Sequence, residues 1–139
     1  MLITWILLAT GLTLRIGEAF PEFKFRIPNG PNIPNPCKPG ETWFGVGHLN
    51  YLGAGPLNAF GLAFKKAGFR WTEELCKADS DGDGRTNGFE LGDPNCTWKE
   101  GQQPPEIIAI EKLSHPGFCD DPTKTCLEGT KKELFCATS

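Results

Sequence analysis

The chain has 139 residues, 14 basic and 17 acidic side chains and a net charge of −3, which is room for one ordinary domain and hardly two. Near-neutral charge without a basic cluster leaves no electrostatic footprint for nucleic acid. Seventeen glycines and 12 prolines point to loops that bury little apolar surface, so the core needs help against conformational entropy.

Leu2 to Leu14 is an almost unbroken apolar run, followed by Arg15-Ile16-Gly17-Glu18-Ala19. The run is shorter than the roughly 20 residues a membrane helix needs. Gly17 and Ala19 fit a small-x-small cleavage site, so residues 1–19 read as a secretory leader, residues 20–119 as the body and residues 120–139 as a stapled tail. No later run is long enough to cross a membrane.

Phe20 to Pro39 is rich in proline and is expected to be extended, because each proline lacks a donor and biases the residue before it away from helix. From Trp43 to Pro56 glycines alternate with aromatics, a pattern of tight backbone packing rather than of a linker. Asn58 is placed to cap a helix over Ala59–Ala67, whose Phe60, Phe64 and Ala67 share one face and which Gly68 would end. A second helix is expected over Glu73–Ala78, with Thr72 as its cap and Glu73 and Glu74 complementing the dipole. Glu106 to Leu113 fits a strand or a short helix equally, and Ser114-His115-Pro116-Gly117 reads as a turn. Trp43, Trp71, Trp98 and the phenylalanines are expected to supply most of the core.

Asp79-Ser80-Asp81-Gly82-Asp83-Gly84-Arg85-Thr86-Asn87-Gly88-Phe89-Glu90 follows the D-x-D-x-D-G-x5-E spacing of an EF-hand calcium loop. Calcium takes six to eight oxygens, and the pattern offers them: Asp79, Asp81 and Asp83 at positions 1, 3 and 5, the Arg85 carbonyl at 7, Asn87 through water at 9, and Glu90 with both oxygens at 12. Gly92 and Pro94 end the exit helix at once, Thr86 replaces the usual aliphatic residue at position 8, and no second loop exists. A structural clamp is therefore expected, not a switch. His48 and His115, the two histidines, form at best a weak candidate for a shared metal or catalytic centre, and turn histidines are the plainer reading. No Ser or Cys nucleophile motif supports an enzyme. Asn95-Cys96-Thr97 is a formal N-glycosylation sequon.

Cys37, Cys76, Cys96, Cys119, Cys126 and Cys136 all follow the leader, an even count that implies three disulfides and an oxidising compartment. Six cysteines allow fifteen connectivities and the sequence does not choose among them. Sequential pairing, Cys37–Cys76, Cys96–Cys119 and Cys126–Cys136, is carried forward as the expectation. The fold class that follows is a small, disulfide-rich, loop-dominated α+β protein with a few short helices and one EF-hand-like calcium loop.

Several blocks in the same order carry a family resemblance: Pro28-Asn29-Gly30, Pro36-Cys37-Lys38-Pro39-Gly40, Gly45-Val46-Gly47-His48-Leu49-Asn50-Tyr51, Trp71-Thr72 with Leu75-Cys76, the Asp79–Glu90 loop with Leu91-Gly92-Asp93-Pro94-Asn95-Cys96, and Ser114-His115-Pro116-Gly117. They resemble the temptin family of molluscan water-borne pheromone proteins. The resemblance implies a secreted signalling protein that works in a complex with attractin-like pheromone proteins and other secreted polypeptides. It also implies Cys37–Cys76 and Cys96–Cys119 pairs. The tail with Cys126 and Cys136 departs from the family pattern. An extracellular or shell-matrix calcium-binding protein is the rival reading, which a single acidic loop and a charge of −3 disfavour.

Overall fold

The computed structural model describes residues 23–103, 112–121, 123 and 126–136. The leader, residues 20–22 of the arm and nearly all of the Glu106–Leu113 segment lie outside the described residues. Among the described residues four short α-helices are joined by turns: α1 (Ala59–Lys66), α2 (Glu73–Lys77), α3 (Asn87–Glu90) and α4 (Glu133–Cys136). Among the described residues β-structure is limited to isolated bridges, Pro34 with Thr42, His48 with Leu57 and Cys119 with Lys131. The β part of the expected α+β class therefore reduces to single pairings. A chain with a turn-forming Gly, Pro or Asn every few residues cannot sustain a ladder.

The proline-rich arm is not simply extended. It contains two 3-10 turns, Phe23–Arg26 and Gly30–Asn32. Pro31 sits at the start of the second, where its fixed φ suits a first turn and its missing donor has no partner to lose. Asn29 enters this turn in the left-handed region, φ 52°, and its amide donates to the Leu91 carbonyl at 2.8 Å. The arm is thus tied to the exit of the acidic loop.

Helix α1 forms as its sequence dictates. Asn58 Oδ1 accepts from Gly61 N at 2.9 Å, while its Nδ2 donates to the Val46 and His48 carbonyls. At the other end Phe69 N donates to Phe64 O and Gly68 N to Lys65 O, the two bonds of a Schellman motif. Gly68 takes φ 71°, and the Phe64 and Phe69 rings meet edge-on at 5.8 Å. The buried face of α1, Phe60 and Phe64, packs with Ile27, Ile33, Val46, Leu75, Leu91 and Leu113 into the core.

The Gly/aromatic segment packs backbone against backbone. Gly45 lies on Gly53 and Gly47 on Gly61, close enough that a side chain at Gly45 or Gly61 would overlap main-chain atoms. Trp43, 1% exposed, stacks edge-on against Tyr51, His115 and Phe118, and its indole donates to the Gly45 carbonyl. Trp43 and Trp98 are core as expected, but Phe25, Phe44 and Phe89 are more than half exposed.

The disulfides overturn sequential pairing. They join Cys37 to Cys136, Cys76 to Cys96 and Cys119 to Cys126. The tail is the reason. Cys119 N donates to Thr130 O and Lys132 N to Cys119 O, and Phe135 packs on Phe118 at 4.8 Å. This turns the chain back across the molecule and delivers Cys136 to Cys37. Cys76 and Cys96 meet because α2 and the turn after α3 fold against each other, and Gly88 leaves the space that Cys76 Sγ fills. The resemblance-based pairs Cys37–Cys76 and Cys96–Cys119 fall with the same finding.

Candidate metal centre

Two short helices hold the acidic loop. Thr72 caps α2 by accepting from Leu75 N, and α2 ends at Lys77, one residue before the expected Ala78. Thr86 caps α3 by accepting from Phe89 N, so Thr86 is a helix cap rather than a bridge to a second loop. Asn87 N donates to Ala78 O at 2.7 Å and closes the neck between the helices.

Within the loop each aspartate holds the turn with main-chain donors. Asp79 Oδ1 accepts from Gly82 N and its Oδ2 from Gly84 N; Asp81 Oδ1 accepts from Asp83 N and Asp83 Oδ1 from Arg85 N. Gly82 and Gly84 take φ of 77° and 89°, and Gly84 is the position that the spacing reserves for glycine. Glu90 Oε1 accepts from the Ser114 hydroxyl at 2.8 Å. The other oxygens, Asp81 Oδ2, Asp83 Oδ2 and Glu90 Oε2, are buried and have no hydrogen-bond partner among the described residues. Asp79, Asp81 and Asp83 each bring one ligand atom to within 4.8 Å of the others.

This is an expensive arrangement without a cation. Burial, followed by the charge of Asp83, pushes the Asp81 carboxyl up to about 8. Burial, followed by the charge of Asp81, pushes Glu90 up to about 9. Burial raises Asp83 as well. A buried carboxylate oxygen without a partner costs several kcal/mol in its charged form, so the group either protonates or meets a positive ion. A hard divalent cation with oxygen ligands fits the donor set, which contains no sulfur or imidazole.

The remaining candidates distribute differently. Asn87 is fully buried and its amide is committed: Nδ2 donates to Leu75 O and Ser80 Oγ, and Oδ1 accepts from Ser80 N. It braces the loop from behind. Arg85 is exposed, and the carbonyl expected at position 7 belongs to it. His48 Nδ1 faces the Gly55 carbonyl at 3.0 Å. His115 is buried between Trp43 and Phe118, with Nδ1 accepting from Gly117 N. Among the described residues neither histidine belongs to a group of potential metal ligands. Asn95 is exposed, and Cys96 in its sequon is bonded to Cys76.

Two residues that the sequence left unassigned matter here. Asp93, 1% exposed, accepts from Thr97 N, Trp98 N and the Trp71 indole, and so fixes the exit of the loop. Asp120, from the tail, adds its charge to those acting on both Asp83 and Glu90. An Asp followed four residues later by a main-chain donor is a recognisable turn cap; nothing local marks Asp120.

No helix among the described residues is long and apolar enough to cross a membrane. No solved structure matches the chain. The Temptin of Aplysia californica is 50% identical over 121 residues, which span 87% of this chain and 94% of that protein. The family model described as Temptin C-terminal matches residues 17–118, so the chain belongs to the temptin family.

Proposed function

We propose that the protein is a secreted, calcium-stabilised component of a pheromone-type polypeptide signal that acts together with other secreted polypeptides. Family membership supports the signalling role, and three disulfides fit an extracellular setting. The observation that carries the calcium part is the set of three buried carboxylate oxygens on Asp81, Asp83 and Glu90 that have no partner among the described residues. Asp79, Asp81, Asp83, Glu90 and the Arg85 carbonyl are the residues that would hold the ion. When bound, the ion cancels the repulsion among the carboxylates and fixes the segment between Cys76 and Cys96.

The role is structural. The exit helix α3 has four residues and ends at Gly92, φ 79°, so it offers no lever for a switch. The rival reading of a mineral-binding matrix protein needs acidic groups that reach a lattice; Asp81, Asp83 and Glu90 face inward at 0–1% exposure.

Isothermal titration of the oxidised chain tests the reading, first with calcium and then, calcium-loaded, with an attractin-type polypeptide. One calcium per chain, absent in Asp81→Ala, is expected, followed by saturable heat from the polypeptide. No calcium heat at millimolar concentration sinks the clamp, and no heat from the polypeptide sinks the complex.

A further inference from the structure

A cavity of about 570 Å³ opens between α1, the first 3-10 turn and the Gly/aromatic segment. None of its lining residues belongs to the acidic loop. The volume lies within the roughly 300–1,000 Å³ of small-molecule sites. Its floor is apolar: Ile27, Val46, Phe60 and Phe64 line it, each less than a tenth exposed. Its wall is main chain packed on main chain, Gly45 on Gly53 and Gly47 on Gly61, which no side-chain rotation closes.

The mouth has a different chemistry. Phe44 and Leu52 line it more than half exposed, an apolar rim open to solvent. Lys24 and Lys65 line the same cavity, and Lys24 Nζ lies 5.8 Å from the centre of the Phe44 ring. Among the described residues neither lysine meets a carboxylate, whereas Arg26 pairs with Glu100 and Lys77 with Glu73. No acidic side chain lines the cavity. The remaining charged or polar side chain, His48, turns its Nδ1 to the Gly55 carbonyl. Two cations beside an apolar chamber complement a molecule with an apolar body and one anionic end. A cationic ligand is disfavoured by charge, and a neutral one leaves both lysines unused.

We infer that this cavity binds an aliphatic carboxylate of the fatty-acid class, with its chain on Phe60 and Phe64 and its carboxylate held by Lys24 and Lys65. This gives the chain a small-molecule cargo in addition to its polypeptide partners. It is independent of the calcium reading, because the two sites share no residue.

The test uses the oxidised chain and cis-parinaric acid, a fluorescent aliphatic carboxylate, kept below its micelle concentration. Dodecanoate and dodecanol serve as competitors of equal chain length. Wild type is expected to bind one probe per chain and to release it to dodecanoate at lower concentration than to dodecanol. Lys24→Gln combined with Lys65→Gln should weaken dodecanoate at least about tenfold and leave dodecanol unchanged, since charged hydrogen bonds are lost while the apolar floor stays. Phe44→Glu, at an exposed position, sets a competing carboxylate beside Lys24 and should weaken dodecanoate in the same direction. Near-ultraviolet circular dichroism checks that both variants keep the wild-type fold. A lysine double variant that binds dodecanoate as tightly as wild type overturns the anion site. A wild-type chain that binds no probe overturns the inference altogether, whether sedimentation then shows a monomer or a dimer in which a second copy covers the mouth.

Discussion

Asp81, Asp83 and Glu90 each divide their labour between two oxygens, one holding the turn or Ser114 and the other buried without a partner among the described residues. His115 shows the same physics with the opposite charge. Its Nδ1 accepts from Gly117, so the ring proton sits on Nε2, which is buried without a partner among the described residues. Burial lowers its pKa from 6.5 to about 3. Because the folded value lies below the unfolded one, the neutral ring stabilises the fold above about 6.5, and that contribution is lost as pH falls towards 3. Denaturant melts at several pH values should show wild type losing up to about 1.4 kcal/mol per pH unit relative to His115→Gln in this window. Parallel profiles would show that the ring is charged or solvated in the fold. At this scale the acidic loop from Asp79 to Glu90 was legible, because its carboxylates and glycines stand at a recognisable spacing. The fate of Asn87 was not, because burial decides whether its amide faces the loop or the core. The two histidines were legible only as turn residues, since nothing in their spacing tells a buried ring from a half-exposed one.

Helices α1 and α2 begin at Asn58 and Thr72, and their local signals agree with the fold at every level. Gly61 is the exception. In an exposed helix, glycine to alanine gains about 1 kcal/mol. Here α1 crosses Gly47 so closely that a Cβ at position 61 would overlap the Gly47 carbonyl. Gly61→Ala should therefore destabilise by about 2 kcal/mol, the scale of overpacking, read as a lower denaturation midpoint at unchanged m-value. A midpoint that rises would mean that the Gly47 segment yields freely. The helix ends were legible because caps are local chemistry. The 3-10 turns of the arm were not, since proline forbids a helix interior while suiting a single tight turn, and the sequence pattern reads both as extended chain. A strand was one of two readings for Glu106 to Leu113, most of which lies outside the described residues, and the isolated bridges among the described residues show how little ladder such turn-rich segments support.

Across the whole molecule the chain closes on itself. Cys37–Cys136 spans a sequence separation of 99, Cys76–Cys96 one of 20 and Cys119–Cys126 one of 7. In the chain-entropy model the largest ring contributes about 4.7 kcal/mol, more than either smaller one. The number of disulfides was legible from composition, but their pairing depends on where the tail returns, and Thr130 on Asp81 and Phe135 on Phe118 are contacts that no local pattern announces. The same return lays Leu127 and Thr130 on the Asp81 carbonyl, so the disulfide framework and the acidic loop are joined. The proposed cation would offset the buried carboxylates of that loop. The direct measurement is a pair of thermal melts, in millimolar calcium and in chelator, for oxidised wild type and for Glu90→Gln, which keeps the bond from Ser114. Calcium at about a hundred times its dissociation constant adds about 2.7 kcal/mol and should raise the wild-type melting temperature by about 10 °C. Glu90→Gln should show little calcium response and, in chelator, melt above wild type because a buried acid has been removed. Superimposable wild-type melts, with Glu90→Gln melting below wild type in chelator, would contradict the account.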